Sequence, residues 1–359
     1  MRKFVFLSGL AIVAMAACTK TESPMGDRTE SPIVFKPLAA KQTKSTPITK
    51  YDKGTGDFRV YAWYQANATS TTFDPTKDFT LYMNGVKCSY QDGNVDNGNG
   101  TGAWFPENTY YWPKNGKLTF SAYYPAVTAG VTVDASTGLK ITDYEIADAT
   151  NQVDLMFSNR VYDKTSSTQT DVNHDYDGVD IVFKHALSAV SFEVKTAADY
   201  GTDAIKLYSI EIQKANSKGT FNEGLDNGRI GIPAGHPAAW TLTTDVKDYI
   251  VYSETAGQSV SSTKAAAGKT CITMPQEFSD DIVVVIKYGI KIGDSTEYLE
   301  QTQTFNLKGT KISGTTTDIK AWEMGKWYKY TLTFTLDKVY FAPSVENWDE
   351  VSVADFDVK

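Results

Sequence analysis

Hydrophobic and polar positions alternate with a period of two along much of the chain, the period of a strand with one buried face. Phe58, Val60, Ala62 and Tyr64 alternate with Arg59, Tyr61 and Trp63. Tyr208, Ile210 and Ile212 alternate with Ser209, Glu211 and Gln213, and the cleanest run sets Tyr330, Leu332, Phe334 and Leu336 against Thr331, Thr333 and Thr335. Turn residues punctuate these runs. Asn84-Gly85, between Phe79–Met83 and Val86–Tyr90, predicts a type I′ hairpin. Pro113-Lys114-Asn115-Gly116 predicts another turn, between Tyr110-Tyr111-Trp112 and Leu118–Tyr124. Val179 to Val194 holds two apolar phases joined across His185-Ala186-Leu187. Ile282 to Ile286 is apolar throughout, which predicts a central strand covered on both faces. No convincing helical period appears in the body of the chain. Short strands at intervals of about ten residues predict an all-β protein built of sandwiches.

The first residues follow a different pattern. Met1-Arg2-Lys3 is basic, Phe4 to Ala14 is apolar, and Ala16-Ala17 precede Cys18. This is the pattern of a secretory signal peptide over residues 1–17, too short to stay in a bilayer as a span. Two alanines before a cysteine resemble the bacterial lipobox, with Met15 in place of the usual Leu. Lipid on Cys18 would tether the mature chain to a membrane; an ordinary signal peptide with an incidental cysteine is the alternative. Residues 18–30 are polar and read as a flexible tether. Pro32-Ile33-Val34-Phe35-Lys36-Pro37 is a short extended segment bracketed by prolines, which confines it to a sheet edge or a separable strand. The stretch after it is basic and turn-rich, and offers Lys41, Lys44, Lys50 and Lys53 to a protease. From Lys164 to Gly178 almost nothing is apolar. That stretch predicts a linker between an N-terminal sandwich over 31–163 and a C-terminal one over 179–359.

Composition narrows the function classes. The net charge of −8, more negative once Arg2 and Lys3 are removed, argues against nucleic acid and against anionic headgroups. A chain of 359 residues with 41% hydrophobic positions is globular and exceeds a comfortable single core. Beyond Cys18 there are only Cys88 and Cys271, too few for a disulfide framework. Two buried free thiols are expected, with a Cys88–Cys271 bond as the alternative.

Several pieces then fall in a telling order. Trp112-Pro113 comes first, then Phe120-Ser121-Ala122-Tyr123-Tyr124-Pro125, then Asp154-Leu155-Met156-Phe157. Phe183-Lys184-His185-Ala186-Leu187-Ser188-Ala189-Val190, Met274-Pro275-Gln276, Trp327 to Phe334, and Trp348 follow. Behind a lipobox, this series resembles the fimbrillin-like lipoproteins of Bacteroidetes, the subunits of type V pili. The resemblance implies two transthyretin-like β-sandwich domains in tandem and export as a lipoprotein to the outer membrane surface. It also implies cleavage by a trypsin-like protease after an Arg in the loop behind the first strand. Loss of that strand would open a groove that an extended segment of another subunit fills, a case of β-augmentation.

Carried onto this chain, the resemblance makes Ile33, Val34 and Phe35 the removable strand. It places processing at Lys44, in Gln42-Thr43-Lys44-Ser45, where relatives often read Thr-Arg and a small residue. A lysine there calls for a Lys-specific enzyme; otherwise the chain stays anchored at Cys18 as a base subunit. Arg28 lies before the strand and Arg59 inside the next one, so neither suits the cut. Val351, Val353 and Phe356 belong either to a donated C-terminal strand or to the last strand of the second domain. The partners implied are other fimbrial subunits, the protease, the outer membrane and a host or bacterial surface ligand. No cofactor is implied.

Catalysis finds no support. Ser261-Ser262-Thr263-Lys264 matches a Ser-Xaa-Xaa-Lys pattern, but no partner motif follows and chance explains it. His174, His185 and His236 lack metal-ligand spacing, and His185 continues the Ile181/Phe183 face as a structural histidine would. Asp171, Asn173, Asp175 and Asp177 have the odd-position spacing of a calcium loop, yet Tyr176 and Val182 occupy its glycine and acid positions. Asp92-Gly93-Asn94-Val95-Asp96 starts such a loop too, with Ala103 at the twelfth position. Trp104, Phe105, Tyr110, Tyr111 and Trp112 either fill a core or stack on sugars. The expectation is therefore a surface-exposed fimbrial subunit, not an enzyme. The alternative is a glycan-binding surface lipoprotein that stays monomeric.

Overall fold

The computed structural model describes residues 32–39, 51–66, 79–92, 103–165, 178–225 and 237–348. Every regular element among them is a β-strand. In chain order they are β1 (Phe35–Ala39), β2 (Phe58–Gln65), β3 (Thr80–Gln91), β4 (Ala103–Pro106), β5 (Lys117–Tyr124), β6 (Val131–Asp134), β7 (Gly138–Glu145), β8 (Met156–Ser158), β9 (Val161–Lys164), β10 (Val179–His185) and β11 (Ser188–Thr196). There follow β12 (Ile205–Asn216), β13 (Lys218–Asn222), β14 (Ala239–Leu242), β15 (Val246–Ser259), β16 (Ala265–Thr273), β17 (Gln276–Glu277), β18 (Val283–Lys291), β19 (Tyr298–Asn306), β20 (Ala321–Trp322), β21 (Lys326–Phe334) and β22 (Val339–Asn347). The all-β expectation holds.

The first assembly is a sheet in the order β2-β3-β4-β1-β10-β8-β5-β9, and a further β2–β5 pairing closes it into a ring. Its inward side chains form one core: Phe58, Val60, Leu118, Phe120, Val179, Ile181 and Phe183, with Phe35 from β1 and Ile33 from the segment just ahead of it. The second assembly opposes two four-stranded sheets, β16-β11-β21-β22 and β15-β12-β18-β19. Their inner faces share a second core in which Phe192, Leu332 and Phe334 meet Leu207, Ile212, Val284 and Tyr288. Tyr288 and Phe334 touch edge to face across it, at 5.3 Å between centroids.

Pairing runs across the stretch expected to be a linker. β10, on its far side, lies between β1 and β8, and β13 pairs with β7 in the sheet β14-β13-β7-β6. Along this stretch the packing passes from one core to the other between Phe183 and Ala186: Val179, Ile181 and Phe183 lie in the first core and Ala186, Val190 and Phe192 in the second, which Leu139 and Phe157 also join from upstream. The two apolar phases of 179–194 are thus two strands, β10 and β11, in different sheets.

Asn84-Gly85 does not turn the chain. β3 runs through it unbroken, and the register steps from Val60↔Val86 to Ala62↔Met83, so that Tyr61 alone faces both residues. With Gly85 at φ 60°, this is a β-bulge in a continuous strand: the left-handed backbone that a hairpin turn would use is spent on one extra residue. β18 lies centrally between β12 and β19, but within the run Ile282, Val284 and Ile286 are buried while Val283 and Val285 are half covered, so one face is the covered one. Leu336 leaves its expected face. β21 ends at Phe334, and Leu336 sits 53% exposed in the turn that the Thr335 hydroxyl organises by accepting from Lys338 N.

Candidate functional site: the lane of the N-terminal strand

β1 is held in the ring by unequal neighbours. It pairs in parallel with β10 over five positions, from Phe35↔Val179 to Ala39↔Phe183. To β4 it pairs, among the described residues, at Phe35↔Trp104. Just upstream, Ile33 N donates to Tyr110 O at 2.8 Å, Pro32 bridges to Tyr111, and Val179 N donates to Val34 O at 2.8 Å. Among the described residues no β4 partner follows Phe35, and Pro37, which has no N–H, sits inside the strand.

The side chains of this segment are fully spent on the core. Ile33, Val34 and Phe35 are at most 2% exposed. The Phe35 ring meets Phe120 at 5.7 Å and Phe58 at 6.2 Å, both edge to face. Burial of three such side chains stabilises the docked strand by roughly 5–8 kcal/mol, an upper figure because an unfolded chain already hides part of that surface. Apolar burial, more than the thin hydrogen-bond ladder to β4, therefore keeps β1 in place.

Gly178, at the end of the stretch expected to be a linker, shapes the lane. Gly178 sits at φ 106°, and a β-carbon there would lie 2.7 Å from Val34 O and 2.8 Å from Phe35 N. Only glycine lets β10 begin so close to the backbone of the entering strand. A glycine ahead of an apolar run was the available signal, but nothing local identifies residues 34 and 35 as its neighbours.

Of the other expected site residues, Cys18, Lys44, Val351, Val353 and Phe356 lie outside the described residues, as do His174, His236 and residues 171–177 of the first calcium-like loop. Arg59 is fixed in β2, its Nε donating to Ala126 O at 2.8 Å and its Nη1 to Gly85 O at 2.6 Å. Of the aromatic cluster, Trp104 and Trp112 are buried in the core beside the lane, Tyr110 packs against it half-buried, and Phe105 and Tyr111 are half-buried. Ser261 and Lys264 do not meet: the hydroxyl lies near Thr263 O, and the ammonium pairs with Glu193 at 2.7 Å. No group of acids, histidines and cysteines among the described residues is placed to hold a metal ion. Cys88 and Cys271 are free and buried, and burial pushes the Cys271 thiol up to about 12 against an opposing hydrogen bond from Gln152. That pKa marks inert thiols rather than nucleophiles.

Pieces of the sequence pattern that lie far apart converge beside the lane. His185, fully buried at the end of β10, sets Nδ1 2.6 Å from Oδ2 of Asp154. Trp348 stacks on the imidazole at 3.6 Å and 10°. Asp154, His185 and Trp348 thus bind the strand that pairs with β1 to the segment leaving β22, as a structural histidine would.

These features define a class: an all-β protein whose first core is completed by a short N-terminal strand with one full-length neighbour. A fimbrillin-like family model matches residues 43–348, and the chain belongs to that family. Membership carries a fimbrial, structural role at the cell surface in association with other subunits. The chain is similar in fold to a crystallised candidate cell adhesion protein of Bacteroides uniformis, at 17% identity and a TM-score of 0.52, covering 90% of this chain and 100% of that one. It is also similar to a fimbrial protein of Bacteroides vulgatus, at 14% identity and a TM-score of 0.53, covering 88% and 99%. No curated protein matches the chain in sequence comparison.

Proposed function

We propose that the chain is a fimbrial subunit that assembles by strand exchange: proteolysis at Lys44 releases Ile33, Val34 and Phe35, and an extended segment of another subunit enters the vacated lane. One observation carries the reading. β1 stands between β4 and β10 in an otherwise self-closing ring, joined to β4 at one position and plugged into the core by Phe35. Removing it would leave an unpaired β10 edge beside a slot lined by Phe58, Phe120 and Phe183, the combination that recruits a substitute strand.

Lys44 falls in the chain between β1 and β2, so a cut there would separate the plug from the ring without breaking any other strand. Val351, Val353 and Phe356 follow β22, the edge strand of its sheet, and on this reading they form the donated strand. Lipid on Cys18 would hold the precursor at the outer membrane until a trypsin-like or Lys-specific surface protease acts.

Lys44→Gln should leave surface-shed protein with its N-terminal segment intact, where wild-type protein begins at residue 45. N-terminal sequencing of shed material decides this. Wild-type protein that is never trimmed there would instead make the chain a permanently anchored base subunit.

A further inference from the structure

We propose that the solvent face of the β15-β12-β18-β19 sheet is a binding site for neutral pyranose sugars, with Tyr208 as its stacking platform. An open cleft of about 500 Å³ lies on this face, within the size range of small-ligand sites. Its floor is built by an irregularity. Both neighbours of β12 step over Tyr208, from Leu207↔Gln258 to Ser209↔Ser253 on one side and from Leu207↔Tyr288 to Ser209↔Lys287 on the other. On the β15 side Glu254 to Gly257 face that single residue and form a rim.

Two glycines make room for the tyrosine ring. A β-carbon on Gly257 would lie 2.8 Å from Cε1 of Tyr208, and one on Gly289 would lie 2.8 Å from its hydroxyl. Gly257 has a left-handed backbone of its own, at φ 72°, but Gly289 lies outside the left-handed region. What requires glycine at 289 is the Tyr208 ring above it together with the β-carbon of Tyr298, 2.9 Å away on the next strand. The sheet thus gives up two side chains to hold one aromatic residue, half exposed, on its outer face.

Groups suited to hydroxyls surround the ring. Ser253, Ser209, Lys287 and Thr302 stand in one cross-strand row over four strands, and Glu300 faces Gly289. Among the described residues the side chains of Tyr208, Glu254, Lys287 and Glu300 are engaged in no hydrogen bond or ion pair, so their hydrogen-bonding capacity is free for a ligand. A pyranose fits this chemistry: its electropositive axial C–H face lies on the ring, whose face is electron-rich, while its hydroxyls reach the rim. The carboxylates of Glu254 and Glu300 stand against the ammonium of Lys287, with that of Lys206 held on Ala256 O at the rim, so no surplus of positive charge selects sialic or uronic acids over neutral sugars.

The site lies in the second assembly, away from the β1 lane, so the test uses uncleaved monomer and its outcome is independent of assembly. Saturation-transfer difference NMR is recorded with maltotriose, lactose and diacetylchitobiose as probes and sialyllactose as the anionic control. The expected result is transfer to ring C–H protons of at least one neutral sugar, with sialyllactose weaker than lactose. Tyr208→Phe should retain the signal, and Tyr208→Ala should weaken binding by about tenfold. Gly289→Ala, whose β-carbon would press on both the Tyr208 hydroxyl and Tyr298 Cβ, should weaken binding in the same direction, with circular dichroism used to check that the sheet is retained. Absence of transfer from all three neutral probes, equal binding by Tyr208→Ala, or stronger binding of sialyllactose would overturn the proposal.

Discussion

Phe35→Ala should lower the unfolding free energy by about 3–5 kcal/mol, a cost set by the cavity left between Phe58 and Phe120. The side chain has no exposed surface, and nothing nearby can collapse into the space without breaking the edge-to-face contacts of the ring core. Urea denaturation measures the loss, with Leu336→Ala as the control: at 53% exposure in a turn, it should cost well under about 1 kcal/mol. The effect reaches beyond stability. β1 is kept in the ring by apolar burial, so the same substitution should expose the segment after β1 to added trypsin and make cleavage faster. A Phe35→Ala protein as stable as wild type would mean that the ring does not need its N-terminal plug.

The second large effect is expected at Gly178. At φ 106° an alanine is strained by at least about 2 kcal/mol, and its β-carbon would meet the carbonyl of Val34 and the amide of Phe35. Neither of those atoms is the end of a flexible side chain, so the clash is relieved only by moving one backbone off the other. Gly178→Ala should therefore eject β1 while leaving its covalent link intact, and self-association without proteolysis should follow. Size-exclusion chromatography with light scattering reads the oligomers, and hydrogen exchange at Val179 NH, which donates to Val34 O, reads the lost pairing. A monomeric Gly178→Ala protein with that amide still protected would show that the lane tolerates a side chain.

Local patterning placed the strands well where one face is buried. The alternation over 58–64, 208–213 and 330–334 lies in β2, β12 and β21, and the proline-bracketed segment at 32–37 runs into β1. Its errors have a common origin. Asn84-Gly85 carries the residues of a turn, but a left-handed glycine serves a bulge equally well, and the choice belongs to β2 across the sheet. The boundary expected at 164–178 follows a real loss of apolar residues, yet β10 beyond it pairs with β1 across more than a hundred residues. Parallel pairing at that separation leaves no short-range signature. Gly178 was passed over for the same reason: what it touches is distant in the chain. Tyr208 read as one more residue of an alternating strand, because a bulge shifts register without changing composition.

The family-like pieces were legible as words before their geometry was. Asp154, His185 and Trp348 come from three separate stretches, and the structure stacks and bonds them into one buried contact. That contact joins β10, the strand that pairs with β1, to the end of β22.

The most direct measurement is made on protein cut between β1 and β2 by a protease site introduced at Lys44. After assembly, the polymer is isolated and its peptide content is determined by mass spectrometry, with crosslinking to identify what lies beside Phe58 and Phe183. The account predicts polymers that lack residues 32–39 and carry an extended segment of a neighbouring copy crosslinked in that position. Cut protein that stays monomeric, or polymers in which residues 32–39 still pair with β10, would contradict it.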